Sequence, residues 1–377
     1  MKKTKKIFIV VNVDWAFLSH RLELGLGLLK KGHNVTIIGI EERMMGEKIR
    51  SYGFDFIPLP STRSGKNIFI EISTILFLYK TYKKEKPDII HHVTLKPIIY
   101  GSLACKFLNI NKVVNAITGL GTVFIDKKNN LSTFLIIRFL LWFAFRKNNL
   151  DFIFQNQTDM QIFTDLNIAD KKKFNLIPGA GVDLKKFSYS KDPKNKKLMV
   201  LLPARMLKDK GIYEFKNAVY SLSKSIQKKT EFILAGDIDL FNKTSLNIKE
   251  LKKWNNEGIV KWIGHQKNMN LLMRKSNIVV LPSYLEGLPK SLIEASSSGR
   301  PIITTDVPGC RDVVEHNVNG VLVKVRDYVE LSKAIKKLLS ERNTRIQMGI
   351  EGRKKAEDIF SNERINKLTY EIYSLDK

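Results

Sequence analysis

Two doubly wound α/β domains in tandem are predicted for this chain, and three observations predict them. Short apolar runs alternate with helix-length segments through the first half, one polar stretch interrupts them, and the alternation then restarts. A chain of 377 residues is long enough to bury two cores, and 44% hydrophobic content is ordinary for a globular protein.

The basic start, Met1-Lys-Lys-Thr-Lys-Lys, runs directly into an apolar segment too short for a signal sequence with a cleavage site, so residues 7–13 read as the first strand. Runs at 35–40, 56–59, 88–92, 112–116 and 152–154 continue a parallel sheet. The polar stretch at 188–197 reads as a linker between a first domain at 1–187 and a second at 198–360. Strands are expected at 198–202, 232–235, 260–263, 278–281 and 301–304, with a helical pattern over 212–226. A last helix is expected within 361–377. The two cysteines, Cys105 and Cys310, fall in different domains and lack metal-type spacing, which points to a reducing, cytoplasmic compartment.

Two helices of the first domain are unusually apolar. Residues 131–145 carry only Arg138 as a charge, and at about 22 Å such a helix falls short of the roughly 30 Å of hydrocarbon a spanning helix crosses. Residues 68–79, followed by a Lys-rich run to Lys86, repeat the theme. The aromatics Phe134, Phe139, Trp142, Phe143 and Phe145 exceed what one sandwiched helix buries, and Lys127, Lys128, Arg146 and Lys147 flank it. Apolar faces rimmed by cations suit an anionic membrane surface. The net charge of +27 also admits other anionic partners, but there is no recognition helix, zinc knuckle or aromatic-basic strand motif to indicate nucleic acid.

The chemistry-bearing residues lie at the ends of apolar runs in the second half. Glu286 and Glu294 have seven residues between them in Ser283-Tyr-Leu-Glu-Gly-Leu-Pro-Lys-Ser-Leu-Ile-Glu294, a strand feeding a helix through a Gly-containing loop. Such a helix start favours a phosphate, and Gly287 lets backbone approach a ligand. Arg205 and Lys210 sit five apart after the run at 198–202, where open α/β sheets bind ligands and where two cations neutralise a diphosphate.

Taken together, Pro203-Ala-Arg205, Lys210-Gly211, Ser283-Tyr and Glu286-Gly-Leu-Pro to Glu294 resemble the retaining nucleotide-sugar glycosyltransferases of GT-B architecture, of the family 4-like kind that builds bacterial polysaccharides and lipid-linked oligosaccharides. The resemblance implies two Rossmann-like domains facing across a cleft, with the last helix packed back on the first. It implies no cofactor beyond a UDP-sugar donor, and front-face displacement in which Arg205 and Lys210 stabilise the leaving phosphate. Glu286 would contact the donor sugar, Glu294 the ribose, and the amides of Gly287 and Leu288 the distal phosphate, with Ser283 beside them. The loop Thr118-Gly-Leu-Gly121 resembles that of transferases adding a second sugar to a lipid diphosphate, implying a polyprenyl-diphosphate-linked acceptor and an enzyme peripheral to the inner face of a bacterial inner membrane. Acceptor-side candidates are His20, Arg21, His92, Lys96, Thr118 and Gly119. The chain departs from its relatives in two places: the loop offers Thr118 where many carry a histidine, and Trp15-Ala-Phe stands where a Gly-Gly pair is common. Asp237-Ile-Asp239 has the spacing of a metal-binding pair, yet no metal is required if Arg205 and Lys210 carry the charge. A UDP-N-acetylglucosamine 2-epimerase would share the two-sheet architecture, without a need for membrane helices.

Overall fold

The computed structural model describes residues 3–63, 67–121, 124, 131–146 and 149–375; Lys127, Lys128 and Lys147 of the expected basic rim lie outside them. The chain divides into two compact units, Met1–Ala180 with Glu363–Lys377, and Gly181–Asn362.

In the first unit, seven parallel strands run in the order β3-β2-β1-β4-β5-β6-β7. They are β1 (Lys6–Val13), β2 (Asn34–Ile40), β3 (Asp55–Pro58), β4 (Ile89–Val93), β5 (Lys112–Ile117), β6 (Leu150–Phe154) and β7 (Phe174–Leu176). Parallel neighbours need crossovers, and helical crossovers bury both sheet faces. β4, Ile-Ile-His-His-Val, is accordingly buried at every position. On one face, Leu78, Tyr82, Ile98 and Leu141 of the helices Ile68–Glu85, Leu95–Cys105 and Leu131–Ala144 pack on Phe8, Ile90 and Val113. On the other, Leu24 and Leu28 of Leu22–Lys30 join Ile365 and Tyr373 of the C-terminal helix Asn362–Tyr373 over Ile7, Ile9 and Val114.

The second unit repeats the plan with six parallel strands, ordered β10-β9-β8-β11-β12-β13. These are β8 (Leu198–Pro203), β9 (Thr230–Ala235), β10 (Val260–Trp262), β11 (Ile278–Leu281), β12 (Ile302–Thr305) and β13 (Gly320–Val323). Strand order reverses between β8 and β11, and the crevice at the carboxyl ends of such a pair is where doubly wound sheets take their ligands.

Three sequence expectations change. The stretch 188–197 is part of the second unit: Arg300, 1% exposed, donates to the carbonyls of Ser190 and Lys191, and Arg345 Nη2 stands 3.0 Å from Asp192 Oδ2. Burial pushes the Asp192 carboxyl up, but hydrogen bonds from Arg345 and Asn277 more than offset this and hold it below the usual range. Ser190, Lys191 and Asp192 serve two buried arginines, while 194–197 are exposed to solvent. The helical pattern over 212–226 breaks into Ile212–Tyr220 and Lys224–Lys229, because Ser223 caps a new helix by accepting from the Ile226 amide. β7 and β13 are additional strands; Phe174–Leu176 is a three-residue edge with Leu176 exposed, too short for periodicity to mark.

Candidate active site

The donor-side candidates converge at the carboxyl ends of β8 and β11. Lys210 closes the one-turn 3₁₀ segment Lys208–Lys210 after β8, and Gly211 follows at φ +71°. A β-carbon at Gly211 would collide with the carbonyl of Pro282, so glycine lets the two loops touch. Across that contact Lys210 Nζ donates to Glu286 Oε1 at 2.6 Å, and Ser283 Oγ donates to the same oxygen at 2.7 Å. The Lys210 and Glu286 side chains are 16% and 11% exposed, shielded enough for the pair to be held tightly and open enough to meet a ligand. Beneath them Thr304 Oγ1 donates to the Leu281 carbonyl at 2.7 Å and Thr305 Oγ1 to that of Ser283. Cys310 is buried here, its thiol pushed up to about 12 by burial and by the nearby Glu286 carboxylate.

Arg205, expected at the donor diphosphate, is held in this structure by a buried carboxylate. Its Nη1 lies 2.5 Å from Oδ2 of Asp239, whose side chain is 3% exposed. The Asp-Ile-Asp spacing thus supplies a counter-ion that aims a guanidinium; Asp237 Oδ1 accepts from the Ile238 amide instead of joining Asp239. Among the described residues no group of three or more His, Cys, Asp or Glu is placed to hold a metal. The role of Asp239 was legible only as an acid pair at a strand end.

Glu294 lies one turn into the helix Lys290–Ser297, 4.0 Å from Lys290 Nζ. Desolvation raises its carboxyl above the usual range, and Lys290 and Lys186 oppose that. Leu288 is 9% exposed, in the loop between Gly287 and Pro289 that starts this helix.

In the first unit the acceptor-side candidates part company. His20 is exposed, 2.5 Å from Ser19 Oγ, and Thr118 and Gly119 lie half-exposed in the loop after β5. Lys96 Nζ donates to the Thr62 carbonyl at 2.9 Å and to Glu71 Oε1 at 3.3 Å, so this cation is already paired. Arg21 is 6% exposed, and burial lowers its guanidinium to about 10. His92 is a correction. β4 extends one residue past it, and as a central strand covered on both faces it sends His92 into the core, between Tyr82 Oη at 3.2 Å and Asn115 Oδ1 at 2.9 Å. Burial lowers its imidazole to about 4, leaving it neutral. His91 is likewise internal, bonded to Tyr373 Oη.

The same unit carries an exposed apolar surface. On Leu131–Ala144, Phe134 and Leu141 are buried while Leu135, Ile136, Phe139, Trp142 and Phe143 are exposed. Phe139 stacks on Trp142 and Phe143 with centroids 6.1 and 6.4 Å apart. Lys106 Nζ lies 4.2 Å over the Phe143 ring and the Arg146 guanidinium 4.1 Å over Trp142. Ile68, Phe69, Ile72 and Leu76 are exposed on the helix Ile68–Glu85. No helix among the described residues is long and apolar enough to cross a membrane.

Two doubly wound parallel sheets, with Arg205, Lys210, Glu286 and Glu294 beyond the strand ends of the second, have the two-domain plan of the GT-B class. Residues 185–355 match the family Glycosyl transferases group 1, and residues 6–156 match Glycosyl transferase 4-like. The chain is 30% identical over 335 residues, 85% of its length and 86% of the relative's, to the N,N'-diacetylbacillosaminyl-diphospho-undecaprenol alpha-1,3-N-acetylgalactosaminyltransferase of Campylobacter jejuni. It is 25% identical to the UDP-Gal:alpha-D-GlcNAc-diphosphoundecaprenol alpha-1,3-galactosyltransferase of Escherichia coli, covering 75% of this chain and 74% of that one. Among solved structures, Anabaena HepE in complex with UDP-glucose superposes with a TM-score of 0.79 at 17% identity, covering 98% of this chain and 99% of that one. The chain belongs to this glycosyltransferase family and has the GT-B fold.

Proposed function

We propose that the protein transfers a hexose or N-acetylhexosamine, with retention and without a metal, from a UDP-sugar to a saccharide on polyprenyl diphosphate. In this reading it works while bound peripherally to the cytoplasmic face of a bacterial inner membrane. The observation that carries the proposal is the Lys210, Glu286 and Ser283 cluster at the switch point of β8 and β11. The undecaprenol-linked acceptors in the names of the C. jejuni and E. coli relatives support the acceptor class, and the HepE complex supports the donor.

In this reading the bond from the sugar's anomeric carbon to the diphosphate breaks, and its electron pair leaves with UDP. Arg205 and Lys210 stabilise that charge as it develops, which is where fixed cations lower a barrier most. The acceptor hydroxyl attacks from the same face and passes its proton to the departing phosphate oxygen. Glu286 orients the donor sugar and Glu294 the ribose. Asp239 is engaged by Arg205, so the charge that a metal supplies in other transferases is carried here by side chains.

The test is transfer from a panel of UDP-sugars to a synthetic polyprenyl-diphosphate-linked saccharide, with the product anomer read by NMR and EDTA present throughout. One donor is expected to react with its anomeric configuration kept. An inverted anomer defeats retention. Activity abolished by EDTA and restored by Mg²⁺ or Mn²⁺ defeats the role given to Arg205 and Lys210.

A further inference from the structure

We infer that Tyr284 and Glu214 are positioning residues for the transfer reaction: together they grip the chain on both sides of Lys210 and hold its ammonium where the leaving phosphate of the donor develops charge. The inference rests on the donor reading above and assigns a function to two residues outside the charged groups named there.

Tyr284 lies between Ser283 and Glu286, on the loop that follows β11. Its amide donates at 2.9 Å to the carbonyl of Asp209, the residue before Lys210. Its hydroxyl donates to Glu214 Oε1 at 2.6 Å, and Glu214 stands in the first turn of the helix Ile212–Tyr220, just beyond Lys210. One residue thus fixes the chain of the lysine from both directions. Burial and the Glu214 carboxylate push the Tyr284 hydroxyl up to about 12, so it keeps the proton it donates. The guanidinium of Arg326 lies 4.7 Å over the Tyr284 ring. The other oxygen of Glu214, Oε2, is buried and takes no hydrogen bond among the described residues, so Tyr284 is what aims this carboxylate.

β8 lies between β9 and β11, and the turn that follows it is clamped from both neighbours. From the β9 side, the Lys208 amide donates to the Thr244 carbonyl at 2.8 Å, and Thr244 Oγ1 donates to Asp209 Oδ1 at 2.7 Å. From the β11 side the clamp is Tyr284. Lys210 reaches out of it to the Glu286 oxygen that Ser283 also bonds. Removing the tyrosine hydroxyl frees the helix start beyond Lys210 and leaves the Glu214 carboxylate without its hydrogen bond. The lysine then keeps its charge and loses its register. A displaced cation still attracts the diphosphate of the bound donor but meets the developing charge less well, so the loss falls on kcat.

The experiment measures transfer from the reactive UDP-sugar to a synthetic polyprenyl-diphosphate-linked saccharide, with UDP binding by calorimetry. It compares the wild type, Tyr284→Phe, Lys210→Ala and the double variant. Loss of one hydrogen bond to a charged group sets the expected effect: Tyr284→Phe lowers kcat roughly tenfold, with donor KM and UDP Kd within about twofold. In the Lys210→Ala background the same change lowers kcat by less than about twofold, since Tyr284 acts through the lysine. Glu214→Ala should match Tyr284→Phe, and Glu214→Gln, whose amide oxygen still accepts from the hydroxyl, should recover most of the rate. Three results overturn the inference and leave the donor reading standing: an unchanged kcat in Tyr284→Phe, a loss that persists in full over Lys210→Ala, or a Glu214→Gln variant as slow as Glu214→Ala. A wild type that transfers from no UDP-sugar defeats the donor reading, a Lys210→Ala variant of normal kcat removes the lysine from the mechanism, and either takes this inference with it. If Tyr284→Phe fails to fold, the Glu214 variants, alone and over Lys210→Ala, decide between the same outcomes.

Discussion

Replacing Phe139 and Phe143 together with serine should release the enzyme from membranes without disturbing donor binding. The two rings are 61% and 37% exposed, and with about 200 Å² per phenylalanine they offer roughly 200 Å² of apolar surface between them. At about 25 cal/mol per Å² full coverage by lipid is worth some 5 kcal/mol, and a helix lying in the interface immerses about half of such a face, so ~2.5 kcal/mol is the working value. That corresponds to a partition coefficient lower by roughly fifty- to a hundredfold. The assay is flotation with vesicles containing anionic lipid, run beside UDP titration of the same preparations. Neither ring belongs to the buried core that Phe134 and Leu141 enter, so the melting temperature should hardly change. Exchanging Lys106 and Arg146 for glutamine should weaken flotation further, and increasingly so at low salt, since each cation sits against an aromatic ring at the edge of the patch. Unaltered flotation in the serine variant refutes the membrane role of this helix; loss of folding instead of loss of lipid binding makes the exposed rings structural.

Three further outcomes follow from the second unit. Lys210→Ala should lower turnover by about 10²-fold or more, because the cation acts on charge that develops as the donor bond breaks; near-normal kcat removes it from the mechanism. For Glu294 the folded-state pKa is raised, so its contribution to stability is fully present below the unfolded value and is lost as pH rises through the folded one. Glu294→Gln escapes that loss: chemical unfolding should find it at least as stable as wild type at neutral pH, with the advantage vanishing in acid, while donor affinity falls. Asp192→Asn strands Arg345, which is 3% exposed, and should cost about 3 kcal/mol in urea unfolding at neutral pH; a change below ~1 kcal/mol means the arginine finds other partners.

The fold was legible because its signal is redundant. β8 and β11 are continuous apolar runs, buried on both faces, and each ends where a glycine-bearing loop and a helix begin. The acidic motif was legible for the same reason, since spacing along one strand-loop-helix unit fixes which residues share an end of the sheet. Long-range pairing left no such trace. Nothing in the sequence around Arg205 says that its carboxylate comes from Asp239 on the next strand's loop, or that Arg345 reaches back to Asp192 across 153 positions. Polar composition at 188–197 reads correctly as exposure for 194–197, but it does not reveal that Asp192 is the partner of a buried arginine.

His92 shows the limit of an argument from position alone. A histidine near the end of an apolar run stands at the ligand-binding edge if the strand stops there, and in the core if it continues by one residue. β4 continues to Val93, and the side chain turns toward Tyr82 and Asn115. Gly309 is the converse case, a residue whose sequence neighbourhood, Val307-Pro-Gly-Cys310, reads as a plain turn. A β-carbon there would collide with the Gly287 carbonyl, so its missing side chain lets two loops touch. The carboxyl end of the second sheet is therefore built from both kinds of residue. Lys210 and Glu286 supply charge that a reader of the chain can find; Gly211 and Gly309 supply absences that acquire meaning only when the loops they admit are in place.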